Sequence, residues 1–530
     1  MSITSFSFII FAFSTLLIYY IVPKKMQWWI LLASSIVFYL LCSAKGIIFV
    51  ILTSLTVYMS TNALQQLSDK QKKYFRENKE TLSKNQKDEL KAKNKKTSKW
   101  ILVITLVANF GILCVVKYSH FAVGTINNLL SLLGIETINN SFSIIVPLGL
   151  SFYTFQSMGY LINVYWKNTP AEKNYFRVLL FTSFFPQITQ GPISEYDSLS
   201  AELFKEHTFS YKNYAWGFQR MLWGFMKKMV IANNLAPWVS DVFANYNEYS
   251  GITCLIGAFL YSIQIYADFS GYMDIMCGFC EMLGITLTEN FERPYFSKSI
   301  AEYWRRWHIS LGAWFKQYIY YPIGVSKWNR RLGKQLTDKF GAAVGKNFPA
   351  TIALVAVWLT TGLWHGASWA YVAWGGVNGL IIIFSMWMEP IYDKAKSALH
   401  IKEHNYIWRS FQVIRTFILV TFIKVLPEVG TLSDGFGLWK RILTEHSIPT
   451  SISELLPFCS DLIWWQGYML VALLALWAAS SFIQRKKPIR EYFNEFPTVV
   501  RIAVLVIIFF AIATMGIIAS MEGGFMYEGF

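Results

Sequence analysis

The sequence predicts an all-α polytopic membrane protein, with about 11 to 13 spanning or re-entrant helices and further amphipathic helices at the membrane interface. Three observations carry that expectation. Of 530 residues, 54% are apolar, 17% aromatic and only 15% charged, which leaves too little polar surface for a soluble globule of this size. The apolar residues fall in runs that approach or exceed the roughly 20 residues a bilayer-spanning helix needs. The net charge of +16, from 48 Lys and Arg against 32 Asp and Glu, is concentrated between those runs. That distribution argues against nucleic acid as a partner and for membrane lipids, with the basic residues anchoring cytoplasmic ends.

The first run, residues 6–22, has no basic residue ahead of it and Lys24 and Lys25 behind it, the reverse of a signal peptide. By the positive-inside rule this helix starts outside and ends inside. Spans at 28–41 and 47–64 bring the chain back to the cytoplasmic side, where residues 66–99 carry 12 Lys or Arg against 5 Asp or Glu. That segment reads as a solvated helical hairpin or coil that sets topology, with anionic lipid or an acidic partner as the other reading. A span at 100–116 leads outward, and 121–133 forms an amphipathic stretch along the outer interface. The run 144–164 contains Pro147, Gly149 and Gly159, which predicts a kink or break. In 175–193 the sequence FFPQITQGPI, with Pro186, Gly191 and Pro192, predicts a re-entrant or irregular segment.

Residues 214–242 interleave Trp216, Trp223 and Trp238 with Lys227 and Lys228, as in an interfacial or tilted helix whose lysines reach the cytoplasmic head groups. Run 252–287 is apolar but holds Asp268, Asp274 and Glu281. Asp274 and Glu281 share a helix face, and DFSGY at 268–272 suggests a helix break presenting the Asp268 carboxylate to a cavity. Ser299 and Glu302 form a capping-box pattern that starts a helix near Ile300. Apolar residues then recur at Ile300, Trp304, Trp307, Leu311, Trp314, Phe315 and Tyr318, with Arg305, His308 and Gly312 on an adjacent face. The pattern predicts one helix along the membrane surface. Residues 324–346, with six Lys or Arg and one Asp, predict a cytoplasmic loop.

Residues 348–388 contain no Asp, Glu, Lys or Arg, which predicts two spans meeting near Trp364-His365-Gly366. A polar connection at 393–409 and spans at 411–426, 462–482 and 499–519 follow. Arg485, Lys486, Lys487 and Arg490 place the last connection inside and the C-terminal tail outside. The organisation predicted is an N-terminal three-span bundle (1–64), a basic cytoplasmic segment (65–99), a core (100–400), C-terminal spans (401–520) and an extracytoplasmic tail (521–530).

His365 is the leading candidate for chemistry, because an ionisable group at membrane depth is costly and is by default functional. The alternative is a histidine hydrogen-bonded between helices for packing. The six Cys, at 42, 114, 254, 277, 280 and 459, are scattered mostly in apolar runs. They imply no disulfide framework, and the single C-x-x-C of Cys277 and Cys280 has no second pair to complete a metal site.

Four segments in order carry a resemblance: QGPI (190–193), DFSGYMDI (268–275), ENFERPYFSKSIAEYWRRWHISLGAWF (289–315) and WLTTGLWHGASW (358–369). Together they resemble the membrane-bound O-acyltransferase family (MBOAT), and within it the bacterial branch of alginate O-acetylation proteins and teichoic acid D-alanyl transfer proteins. The resemblance covers most of residues 141–380. It implies helices around a central tunnel in a bacterial cell membrane, with acyl transfer from a cytoplasmic thioester to a cell-envelope polymer outside. His365 matches the family's catalytic histidine and His308 the second histidine of the bacterial branch. Phe525-Met526-Tyr527-Glu528-Gly529-Phe530 resembles the F-x-Y-x-x-F motif whose tyrosine is proposed to carry the acyl group.

On that reading His365 is the general base toward the hydroxyl of Tyr527 or of a partner, and His308 orients the donor or stabilises the thioester oxyanion. Arg305, with Arg306 and Lys316, meets the phosphates of coenzyme A or an acidic carrier protein. Asp268, Asn290 and Trp364 shape the substrate site. No bound cofactor or metal is implied, and acetyl-CoA is the expected acyl donor. An extracytoplasmic SGNH-type acetyltransferase is the expected partner that completes transfer to a polysaccharide acceptor. The competing readings are D-alanyl transfer to teichoic acid from an acyl carrier protein, and a polytopic transporter or flippase that uses the buried groups as a proton relay.

Overall fold

The structure, a computed structural model, describes residues 1–141, 144, 146–447, 464–484, 487 and 489–517; the expected acyl-carrier motif with Tyr527 lies outside the described residues. Eight of its helices are long and apolar enough to cross a membrane, and no strand occurs among the described residues. The protein is a multi-pass, all-α membrane protein. Its chain divides into two units, Met1–Tyr211 with Leu283–Leu287, and Lys212–Met282 with the described residues from Thr288 onward.

The first unit opens with α1 (Phe6–Ile21), α2 (Gln27–Ser43) and α3 (Ile47–Glu77). The basic segment turns out to be a helical hairpin, formed by the end of α3 and the start of α4 (Lys84–Leu132). A capping box opens α4: Ser83 Oγ accepts from the Gln86 amide, and the Gln86 side chain accepts from the Ser83 amide. This helix runs 49 residues without interruption. The separate interfacial stretch expected at 121–133 is therefore its last turns. With no Pro between Lys84 and Leu132, isolated glycines are not enough to end it.

The break expected in 144–164 falls at Gly149, ahead of α5 (Leu150–Trp166). Gly149 has φ +68°, and a Cβ there would stand 1.8 Å from the Ile188 carbonyl oxygen, so any side chain would be both strained and excluded. The irregular segment expected around FFPQITQGPI is present as α6 (Tyr175–Ser183) and α7 (Phe185–Ile188), followed by α8 (Tyr196–Leu203). Its backbone is covered by protein, as non-helical backbone at membrane depth requires, and Gln156 Nε2 donates to the Phe181 carbonyl at 2.7 Å.

The second unit contains α9 (Tyr211–Phe225), a π-helical turn (Met226–Ala232), α10 (Asn233–Ala244) and α11 (Gly251–Met282). Lys227 and Lys228 are buried on that turn instead of reaching head groups. They meet carboxylates of α11: Lys227 pairs with Asp274 at 2.7 Å, and Lys228 pairs with Asp268. α11 runs straight through DFSGY, with no break at Asp268. The small residues there allow close packing: a Cβ on Gly224 of α9 would lie 2.6 Å from the Gly271 carbonyl oxygen. Asp274 and Glu281 do share a face, receiving Arg220 at 2.9 Å and Arg490 at 2.7 Å respectively.

The surface helix expected from Ile300 is interrupted. It forms α12 (Ile300–Arg306) and α13 (Ile309–Phe315), with Trp307 and His308 between them. Ser299 caps α12 as its sequence predicts, accepting from the Glu302 amide at 3.1 Å. After α14 (Tyr321–Gly324), the expected cytoplasmic loop is a helix, α15 (Lys327–Phe340), capped by Ser326 and packed on its successor with its cations exposed. Periodic Trp328, Leu332 and Leu336 give it an apolar side, which the charge count alone obscured. The paired helices α16 (Ala342–His365) and α17 (Trp369–Ala398) meet at residues 366–368, as expected. They are followed by α18 (Tyr406–Val425), α19 (Leu432–Thr444), α20 (Trp464–Ile483), α21 (Ile489–Glu495) and α22 (Thr498–Ala511).

Candidate active site

The break between α12 and α13 exists because a second segment holds it open. Residues 290–292 run antiparallel to it: the Glu292 amide donates to the Arg306 carbonyl and the Ile309 amide to the Asn290 carbonyl, both at 3.0 Å. Asn290 Oδ1 also accepts from the Ser310 amide at 2.9 Å, satisfying a donor at the start of α13. These bonds leave His308 with φ 47°, in the left-handed region that ordinary residues seldom occupy. The consequence is directional. A continuous helix would have kept His308 on its surface face, whereas here it is 1% exposed and lies edge-on to Phe269, with ring centroids 4.9 Å apart. Burial pushes its imidazole down to about 3, so it is neutral at physiological pH.

His365 is the last residue of α16, and Gly366 beyond it ends the helix. It too is buried, with Trp364 and Trp374 edge-on at 4.8 and 4.7 Å between ring centroids. Trp364 also meets His308 at 5.9 Å, so one indole touches both histidines. Trp304, on α12, donates its indole N–H to Asn378 on α17 at 3.0 Å, fixing these helices in register. His365 faces a cavity of about 60 Å³ lined also by Trp304, Trp307, Tyr371 and Trp374. It is a small cavity whose walls combine aromatic rings with a few polar groups.

His365, His308 and Trp364 are thus brought together, and Asn290 holds the turn that places His308. Asp268 is committed to Lys228, although Phe269 beside it packs on His308. Arg305 is exposed and lies outside the cavity lining. Arg306 pairs with Glu302 at 2.6 Å, and Lys316 is exposed.

Residues 171–337, which include His308 and the turn that holds it, match the model of the membrane-bound O-acyltransferase family. The chain carries a membrane-bound O-acyltransferase domain. Over 343 residues it is 33% identical to the probable alginate O-acetylase AlgI of Pseudomonas aeruginosa, covering 65% of this chain and 60% of that one. It is 31% identical over 308 residues to the peptidoglycan O-acetyltransferase of Helicobacter pylori, covering 53% of this chain and 54% of that one. The teichoic acid D-alanyltransferase of Streptococcus thermophilus is 24% identical over 319 residues, with 57% and 72% covered. The chain spans 52% to 60% of the length of the alginate O-acetylase relatives it matches.

The cavity includes two further groups that no sequence motif above contains. Lys424 and Glu428 line it together with Tyr261, Ile265 and Pro427. Glu428 accepts from the Tyr371 hydroxyl at 3.3 Å, and burial pushes its carboxyl up. The available signal was Lys424 itself, the one acidic or basic residue of the apolar run 416–427, because an ionisable residue at such depth marks a site.

Proposed function

We propose that the protein is an acyltransferase that moves an acetyl group from a cytoplasmic thioester, acetyl-CoA, across the membrane for O-acetylation of a cell-envelope or exported polysaccharide. Transfer to the polymer is completed by a separate extracytoplasmic transferase. The observation that carries this reading is the pair of buried histidines on one indole, His365 facing a small aromatic cavity and His308 fixed beside it. The relatives named as alginate and peptidoglycan O-acetylating proteins support acetyl as the group and polysaccharide as the acceptor.

Acyl transfer needs a base for the incoming hydroxyl and donors for the oxyanion. An imidazole in its neutral form accepts a proton, so His365 removes the hydroxyl proton as the oxygen adds to the thioester carbonyl. Collapse of the tetrahedral intermediate expels the thiolate, which takes that proton back. His308, which meets the same Trp364 indole, orients the donor. Tyr527 is the proposed hydroxyl, carrying the acetyl group as an aryl ester to the outer side, where the charge pattern puts the tail. The membrane is the bacterial cytoplasmic membrane, with both termini outside.

D-alanyl transfer from a carrier protein is the second reading, supported by relatives of 24% and 25% identity. The test is peptide mass spectrometry of the full-length protein after incubation with labelled acetyl-CoA, for wild type, His365→Ala and Tyr527→Phe. Label on Tyr527 that disappears in both variants supports donor, base and relay together. Label that appears only when a D-alanyl carrier protein is supplied overturns the acetyl reading in favour of the second.

A further inference from the structure

The cavity in front of His365 has a charged side that the acyl-transfer reading does not use. Lys424 is on the last turn of α18, 6% exposed, and its ammonium is held by aromatic groups. It donates to the Tyr295 hydroxyl at 2.9 Å and stands 3.8 Å from the centre of the Trp307 ring. Tyr295 in turn donates to the Ser262 carbonyl, so the phenol is anchored and offers its oxygen to the ammonium. Among the described residues no carboxylate lies within ion-pairing distance of Lys424. Glu428, the acid that shares the cavity, is hydrogen-bonded to Tyr371 and Tyr261 and acts on Lys424 through its charge without touching it.

Burying an ammonium with no anion in contact is expensive: Glu428 acts on it only from beyond ion-pairing distance, and the quadrupole of an aromatic face offsets only part of the cost. An arrangement of this kind binds a small anion well, because the ligand supplies the missing charge inside a poorly hydrated site. Trp307 immediately precedes His308, so the ring under the ammonium belongs to the same turn that places the second histidine.

We propose that Lys424 forms an anion-binding subsite of the His365 cavity, receiving the acyl carbonyl oxygen as negative charge builds on it. The proposal rests on the acyl-transfer reading. As the hydroxyl oxygen bonds to the carbonyl carbon, its proton passes to His365 and the carbonyl π pair moves onto oxygen beside Lys424. When that pair re-forms the carbonyl, the carbon–sulfur bond breaks and the thiolate leaves with the proton from His365. Lys424 gains and loses no proton. It is matched to the transition state because the ground-state carbonyl carries only partial charge.

The experiment uses the full-length protein in lipid nanodiscs as wild type, Lys424→Met and Lys424→Arg, with two readouts. Acetate, a carboxylate of the size of the acyl group, is titrated while thermal unfolding is followed. Acetyl-CoA turnover is then resolved into kcat and KM. Wild type and Lys424→Arg are expected to be stabilised by acetate, with Lys424→Met at least about 10-fold weaker in its response. Loss of one oxyanion donor is expected to lower kcat about 10²-fold in Lys424→Met while KM changes little, with partial rescue by arginine. If Lys424→Met elutes as misfolded protein, Lys424→Gln, which keeps a donor toward Tyr295, takes its place. Acetate binding as strong in Lys424→Met as in wild type, or none in wild type, overturns the subsite. Acetate binding that depends on Lys424, in a protein that turns over no acetyl thioester, keeps the anion subsite and overturns the acyl-transfer reading.

Discussion

Lys227 and Lys228 are buried cations of the second unit, and so is Lys424, yet their surroundings differ. The first two each meet an aspartate of α11 directly, and Arg220 joins the same group between Asp274 and Glu289. Lys424 meets a phenol and an indole face instead. Pairing a charge internally leaves nothing for a ligand to complete, so the α9–α11 network serves the fold. Leaving a cation against aromatic rings beside a cavity keeps its field available, as the proposed acyl-transfer role of the His365 cavity requires. The difference also separates stability from activity, and substitutions on the two sides should move different observables.

The largest effect is expected at the chamber. His365→Ala should lower acyl transfer by about 10²- to 10⁴-fold, the range for losing a general base, while thermal unfolding stays close to wild type. Label transfer measured beside an unfolding curve checks both halves. The paired side should respond in the opposite sense. Lys228→Met removes the cation from buried Asp268, at a cost of about 3 to 5 kcal/mol, and the double variant with Asp268→Leu should recover most of it. A denaturation series on the three variants decides; a fully stable single variant would mean the pair is not what holds α11 to the turn.

Asn290→Ala tests the link between the two kinds of role. Removing the acceptor of the Ser310 amide should cost about 1 to 3 kcal/mol and also slow transfer, because it loosens the turn at His308. Unfolding and turnover of this variant should fall together. pH gives a further handle on the same turn. The folded pKa of His308 is held below its unfolded value, so the unfolded chain takes up a proton first as pH falls. Its contribution to stability is full above about 6.5 and is lost progressively from there toward about 3, and His308→Phe should flatten that part of the stability profile. The smallest effect belongs to Ser299→Ala. Loss of this N-cap should cost about 0.5 to 2 kcal/mol, with the transfer rate per folded molecule unchanged.

What the sequence could and could not say follows from the range of the forces involved. The paired helices around His365 were legible because the absence of charge over residues 348–388 is a property of the segment alone. So were the Ser299 cap and the broken segment at Pro186, which local chemistry dictates. The break at His308 was not, since it depends on backbone bonds from Asn290 and Glu292, well outside one helical window. For the same reason His308 was expected on a surface face and is found inside. Lys227 and Lys228 have an interfacial pattern in sequence, because their carboxylate partners lie some 40 residues further along the chain. The uninterrupted α11 teaches that Ser and Gly in a membrane helix serve close packing as readily as a break. Lys424 stands out in its apolar run, but the aromatic groups that receive it, Tyr295 and Trp307, are over 100 residues away in the chain.

One measurement tests the central assignment most directly. Transfer of labelled acetyl from acetyl-CoA by the purified full-length protein is followed for wild type and His365→Ala, with an unfolding curve recorded on each sample. The account predicts label in wild type, none above background in His365→Ala, and coincident unfolding curves. Label incorporated at the wild-type rate by folded His365→Ala would contradict it, and would leave the histidine as a packing residue between α16 and α17.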